Sequence, residues 1–198
     1  MKKIIYFIEF ILIKILFFIF KFVGYKFSSY LGFLIGKIFG PLFKSKKQII
    51  KNLEKANIQK KQNLKKIASN VLGNYGRIFA EYVHLEDFRN DKLKKFISIE
   101  GLEHLHYLKK SQKKAIFISG HFNNFELMAM QIEKVGIELA AIYRPLNNFF
   151  LNKTMEKIRT ENICKNQIKK GRAGSREIIK NVKNGKSIAI MIDQRVRE

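Results

Sequence analysis

Apolar residues crowd the first quarter of the chain and then break into shorter, regularly spaced runs. Residues 4–23 form the longest apolar stretch, about the ~20 residues that a helix needs to cross a bilayer. Glu9, Lys14 and Lys21 interrupt it. On a helix Lys3, Lys14 and Lys21 fall within about 20° of one another, a single stripe on a greasy cylinder. Such a stripe suits a helix lying in the membrane interface or packed on a domain. The same pattern admits a single-pass anchor whose Lys21 snorkels to one surface. Gly24, Ser28, Gly32, Gly36 and Gly40 then recur every four residues. On a helix they make a ridge of small residues that lets another backbone approach closely, and Pro41 is expected to mark its end. The pattern predicts two N-terminal helices, packed as a hairpin or an L and presented to the membrane.

Residues 48–81 carry apolar positions at helical spacing and predict two amphipathic helices separated near residues 57–62. From there the runs shorten and alternate. We expect a strand within residues 92–100, a helix over 102–110 and a central strand over 115–119. A helix over 125–135 ends at Gly136, and a strand over 139–143 turns at Arg144-Pro145. Helices over 150–161 and 175–184 and a buried strand over 187–192 complete the pattern. Residues 171–176 read as a basic loop and helix cap, because they lack the preceding strand and the lysine of a phosphate loop. The alternation specifies an α/β fold, a mostly parallel sheet with helices on both faces, preceded by an N-terminal helical membrane-associated region. The boundaries are 1–43 for that region and 44–198 for the α/β domain. Ile188, Ala189, Ile190, Met191 and Ile192 show no polar alternation, so their strand needs cover on both faces. The sequence stops just after it. The sheet is therefore expected to be incomplete, with an open apolar edge beside this strand and the C-terminal part of the domain missing.

Charge narrows the choice of partners. Lys and Arg number 39 against 16 Asp and Glu, a net charge of +23. That field favours nucleic acid, acidic lipid headgroups or an acidic carrier protein. An AT-rich codon pool, visible in the abundance of Lys, Ile, Asn and Phe, accounts for part of the excess. Lys44, Lys46, Lys47 and Lys51 follow the small-residue helix as a basic collar suited to an anionic leaflet. A hydrophobic content of 46% excludes simple disorder. The single Cys164 excludes a disulfide framework and fits a reducing compartment. His84, His104, His106 and His121 make no ligand pattern, so no metal is expected.

The candidate chemistry lies at residues 115–126. An apolar run ends at Ser119-Gly120, and His121 follows at the carboxyl end of the strand, where open α/β sheets keep their ligands. Glu126 falls in the first turn of the next helix. Five helical residues would point the pair about 140° apart, so the two meet only if His121 precedes the helix. There Glu126 can accept from one imidazole nitrogen and leave the other as a base. The plainer alternative is a capping-region histidine beside a helix N-terminal glutamate.

His121-x4-Glu126 resembles the H-x4-D/E signature of the glycerolipid-type acyltransferase superfamily. More narrowly, the chain resembles the bacterial lipid A biosynthesis acyltransferases, the late lauroyl and myristoyl transferases. Tyr143-Arg144-Pro145-Leu146-x-Asn148 looks like that family's YRP-x-x-N segment, and Asp193-Gln194 looks like its DQ segment. Asn52-Leu53, Gly76-Arg77-x-x-Ala80-Glu81 and Glu100-Gly101-Leu102-Glu103 occupy matching places. Glu126 stands where many members of the wider superfamily have Asp. The resemblance implies transfer of a fatty acyl chain from acyl carrier protein or acyl-CoA to a hydroxyl of a lipid A precursor, at the cytoplasmic face of the inner membrane. It implies His121 as general base and Glu126 as its orienter. Arg159 would meet the oxyanion or a substrate phosphate, and Arg144, Asn123, Asp193 and Gln194 would line the substrate site. No cofactor is implied, and no nucleophile is needed if the hydroxyl attacks the thioester directly. Family members run on with further strands, which puts activity of these 198 residues alone in doubt. A phospholipid or ornithine-lipid acyltransferase is the neighbouring reading. The rival from another class is a basic nucleic-acid-binding protein without catalysis. Against it stand the absence of an RNA-binding aromatic signature or zinc-finger spacing, and the greasy N-terminus.

Overall fold

The N-terminal apolar run forms one helix, α1 (Lys2–Val23), in a computed structural model that describes residues 2–56 and 63–193. Contacts divide the chain into two compact units, Ile13–His84 and a second made of Met1–Leu12 with Leu85–Glu198.

Within Ile13–His84, α2 (Tyr25–Phe43), α3 (Lys46–Lys55) and α4 (Leu64–Glu81) follow α1, and a 3-10 turn (Tyr82–His84) ends the unit. The small-residue ridge of α2 packs on α4, not on α1 as the hairpin reading expects. A Cβ at Gly32 would stand 2.6 Å from the Gly76 carbonyl oxygen and 2.5 Å from Ala80 Cβ. One at Gly76 would stand 2.2 Å from the Gly32 carbonyl oxygen. The reason is complementarity. Helix α4 supplies Gly73, Gly76 and Ala80 opposite the ridge, whereas α1 has no Gly, Ala or Ser to let a backbone approach. Pro41 lies inside the last turn of α2, which runs on to Phe43 with the Lys44 amide on the Gly40 carbonyl at 3.0 Å. Ser45 caps α3 and Asn63 caps α4, each accepting from a backbone N–H three residues on. The expected break between these helices lies at residues 57–62, outside the described residues. Phe17 of α1 packs on Phe79 of α4, and the buried His84 bonds Ser28 Oγ at 2.9 Å and the Phe20 carbonyl at 3.2 Å. Phe18, Phe22, Leu42 and Phe43 of this unit stay exposed. Among the described residues no helix is long and apolar enough to cross a membrane.

The other unit begins with the first part of α1, whose Phe7 and Phe10 meet Phe150. It continues through α5 (Leu85–Arg89), a 3-10 turn (Lys94–Phe96) and α6 (Leu102–Lys110). The strand expected within 92–100 does not form. The 3-10 turn, with charged Lys94 and Lys95, takes the place of its first part, and the extended Ile97-Ser98-Ile99 after it pairs with none of the four strands. Then follow β1 (Ile116–Ser119), α7 (Glu126–Lys134), β2 (Leu139–Tyr143), α8 (Phe149–Asn162), β3 (Asn166–Lys169), α9 (Arg172–Lys183) and β4 (Ser187–Met191). The four strands are parallel, in the order β1-β4-β2-β3. The fold is mixed α/β, as the alternation predicts.

Two expectations are corrected by that order. The strand over 115–119 is an edge strand, not the central one. The last strand, β4, is interior, paired with both β1 and β2, so the expected open edge does not lie beside it. Helix α9 places Ile178 against Ala140, Ile168 and Ile188 on one face. Leu139 and Ala189, which alternate to the other face, are also buried. Cover runs out at β1, where Ile116 and Ile118 are 63% and 62% exposed. Strand β3 went unread because Asn166-Gln167-Ile168-Lys169 is a polar edge sequence with one buried side chain, Ile168. Helix α9 starts at Arg172 rather than 175, with Gly171 as N-cap at φ 132°.

Candidate active site

Register builds the site. Ser119 of β1 pairs with Met191 of β4, and each chain continues two residues further, to His121 and Asp193. Continuing in parallel, these two side chains meet. The imidazole Nδ1 lies 2.8 Å from Asp193 Oδ1, and the His121 backbone N–H donates to Oδ2 at 2.9 Å. Gly120 leaves room for this clamp, since a Cβ there would stand 3.3 Å from Asp193 Cγ and 2.7 Å from the Phe122 ring. Asn123 takes φ 45°, a left-handed turn conformation that Asn tolerates, and its carbonyl accepts from the Phe125 amide. The Phe125 ring stands edge-on to the imidazole at 4.6 Å.

Burial works against the Asp193 carboxylate, but the His121 backbone N–H and then its imidazole outweigh it and hold the group below its ordinary value. An ionised carboxylate only accepts, so Nδ1 carries the proton. In the neutral ring that leaves the lone pair on Nε2, the nitrogen turned away from Asp193.

Glu126 does not hold the imidazole. It is buried at the start of α7, and Arg159 of α8 grips its Oε1 with Nε and Nη2, each at 2.9 Å. The sequence reading brought His121 and Glu126 together; the structure gives each a different partner. The local H-x4-E spacing showed two groups on one turn but not which strand or helix lies across from each. The Arg159 guanidinium also sits 5.7 Å over the Tyr143 ring. Tyr143 donates to Glu156, which Lys169 reaches at 3.2 Å. Burial first, and then that hydrogen bond, raise the Tyr143 phenol.

His121, Glu126, Tyr143, Arg144, Arg159 and Met191 are in the wall of a cleft of about 370 Å³ at the carboxyl ends of the strands, whereas Asp193 reaches it only through His121. Arg144 is exposed and bonds Asn147 at 3.2 Å. Asn123 is exposed in the turn and is not part of this wall. Gln194 lies outside the described residues. Gln167 and Lys170 also line the cleft and were missed with β3, whose polar sequence offers no strand end to place them by. Asn148 closes the segment that begins at Tyr143. Its Oδ1 caps α8, and its Nδ2 donates to the Tyr6 carbonyl at 2.8 Å and to Glu9 at 3.0 Å. Cys164 is fully buried, its Sγ 3.1 Å from the Leu139 carbonyl, and burial pushes its thiol up to about 11, so it is no nucleophile for this cleft.

A histidine at a strand end, held by a carboxylate and lining a cleft with an arginine, is an arrangement suited to proton removal from a hydroxyl. No curated protein matches the chain. The family model described as bacterial lipid A biosynthesis acyltransferase matches residues 1–198, and the chain belongs to that family, which makes it an acyltransferase by descent.

Proposed function

We propose that this protein transfers a fatty acyl chain from acyl carrier protein or acyl-CoA to a hydroxyl of a lipid A precursor, with His121 as general base. The observation that carries the reading is the His121–Asp193 clamp at the rim of the cleft. The acceptor hydroxyl gives its proton to His121 Nε2 as its oxygen attacks the thioester carbonyl. The tetrahedral intermediate then collapses, the carbon–sulfur bond breaks, and the imidazolium returns the proton to the departing thiolate. Asp193 stabilises the imidazolium that forms between these steps. Arg159, positioned by Glu126, faces the negative charge of the intermediate or a substrate phosphate. Arg144 contributes a second cation to the same wall.

Seating at the cytoplasmic face of the inner membrane belongs to the same proposal. Exposed Phe18, Phe22, Leu42 and Phe43, with Lys46, Lys47 and Lys51 close behind in sequence, support interfacial seating. Both substrates are anionic, which gives the +23 charge a use.

The test is transfer by the purified chain from acyl carrier protein and from acyl-CoA to a lipid A precursor, beside mass spectrometry of lipid A from a deletion strain. An unchanged glycolipid profile with an altered phospholipid or ornithine-lipid profile would move the acceptor within the superfamily. Release of the protein from membranes by nuclease would count against the reading altogether.

A further inference from the structure

A carboxylate beside the proposed cation of the cleft takes no part in the chemistry above. Glu156 and Arg159 lie three residues apart on α8, a spacing at which opposite charges are neighbours and tend to pair. The structure gives each another partner. Arg159 grips Glu126, while Glu156 accepts from the Tyr143 hydroxyl and meets Lys169 Nζ at 3.2 Å. Asn152 adds a hydrogen bond to the same carboxylate, with its own Oδ1 tied to the Leu146 amide at 2.8 Å. The Tyr143 hydroxyl foremost holds Glu156 below its ordinary value, so a full negative charge stands one helical turn from the guanidinium at neutral pH.

Tyr143 touches both residues. Its hydroxyl takes Glu156, and its ring carries the Arg159 guanidinium at 5.7 Å, within cation–π reach. Tyr143 and Arg159 are in the cleft wall, whereas Glu156 and Lys169 are not. The side chains of Arg159 and Glu126 are 15% and 10% exposed, so little water screens a further charge brought up to them. Glu126 already offsets part of the positive charge of Arg159. A second carboxylate would cancel the field that a developing oxyanion or a substrate phosphate meets there.

We propose that Tyr143 is a positioning residue that, with Lys169, draws Glu156 off Arg159 and keeps the guanidinium charge directed into the cleft. The proposal rests on the acyl transfer proposed above. Ring and hydroxyl have separate tasks. The ring braces the plane of the guanidinium, and the hydroxyl occupies the carboxylate that would otherwise compete for it. Removing the hydroxyl alone lets Glu156 swing along α8 to the arginine, its neighbour by helical spacing.

The experiment measures kcat/KM for transfer from an acyl carrier protein donor, using the full chain in detergent. Tyr143→Phe keeps the ring and is expected to lower kcat/KM about tenfold or more, part of the 10²–10³ that one oxyanion donor contributes. Glu156→Gln in that background removes the competing charge and should restore most of the loss. Lys169→Met, at an exposed position, should lower kcat/KM about twofold to fivefold and be rescued by the same change. An unchanged kcat/KM in Tyr143→Phe, or a fall that Glu156→Gln does not repair, overturns the proposal. A second measurement needs no turnover. A double-mutant cycle of Glu156→Gln with Arg159→Met, read by denaturant unfolding, is run in the wild type and in Tyr143→Phe, or in Lys169→Met if Tyr143→Phe does not fold. The coupling between the two charges should be about twofold to fivefold larger in the unfolding constant once the restraint is removed. Equal coupling in both backgrounds also overturns the proposal. If the wild type transfers no acyl chain at all, the proposed function fails, and the cycle still decides whether Tyr143 and Lys169 keep the two charges apart.

Discussion

Replacing Asp193 by Asn separates two possible contributions of this residue by their size. The carboxylate accepts both the His121 amide and Nδ1, at 2.9 and 2.8 Å. In the amide, Oδ1 keeps the backbone bond and Nδ2 faces the ring. An NH2 group donates, so the imidazole must present a lone pair at Nδ1 and carry its proton on Nε2. For the proposed base role that is the wrong tautomer. If Asp193 only supplied an attractive charge, the loss would be small, because the side chains of His121 and Asp193 are 25% and 35% exposed. Solvent screening leaves about 1 kcal/mol for such a pair, about fivefold to tenfold in rate. If it fixes the tautomer, the variant forfeits the whole general-base contribution, about 10²–10⁴ in kcat or roughly 3–5 kcal/mol.

We expect the larger figure, in single-turnover transfer from acyl carrier protein, with little change in the thermal melt. In a His121→Ala background Asp193→Asn should have almost no further effect, since the two act as a unit. A loss of tenfold or less would refute the tautomer argument. So would a Glu126→Gln variant that keeps its stability and falls as far as His121→Ala, for that would return the orienting role to Glu126.

Three further outcomes follow from the packing. Glu126→Leu alone leaves the part-buried Arg159 without its carboxylate and should cost about 3 kcal/mol in denaturant unfolding, whereas Glu126→Leu with Arg159→Met should recover most of the stability and none of the activity. Recovery of activity in the double variant would remove Arg159 from the chemistry. Gly36→Leu drives a side chain into the Leu72 carbonyl, 2.5 Å from the position its Cβ would take, and should destabilise the protein by at least about 3 kcal/mol; a melt unchanged from wild type would mean that α2 and α4 are not in backbone contact. The Tyr143 hydroxyl foremost, with Asn152 and Lys169, holds Glu156 below its ordinary value, so the stabilisation is present above about pH 4.5 and is lost as the pH falls through the depressed native value. Tyr143→Phe should therefore flatten stability against pH in that acid window, and an identical acid slope in the variant would count against the bond.

Much of the α/β half was legible, because a buried parallel strand and an amphipathic helix each write their period into the sequence. Residues 139–143 and 102–110 were read to the residue for that reason. What failed were elements whose apolar signal is weak or shared. Strand β3 buries only Ile168, and the extended stretch after Phe96 has apolar residues but no partner strand. The ridge on α2 was visible as a pattern of four. Its partner was not, because close approach depends on small residues in both helices, and those of α4 lie about forty residues away.

The His121 partner was hidden for a different reason, and the sheet order supplies what local spacing lacks. A histidine two residues beyond one apolar run and an aspartate two residues beyond another are unremarkable separately. They become a pair only when the two runs are neighbours in a parallel sheet with their ends level, as Ser119 and Met191 are. Parallel pairing makes equal offsets meet, whatever the sequence separation, here 72 residues. Local spacing offered Glu126, five residues away, but that position starts a helix and turns its carboxylate to Arg159 on α8. In a chain of this kind the first candidate for the base's partner is therefore the acidic residue at the same offset past a neighbouring strand, and the nearer carboxylate is the one to test for holding a cation.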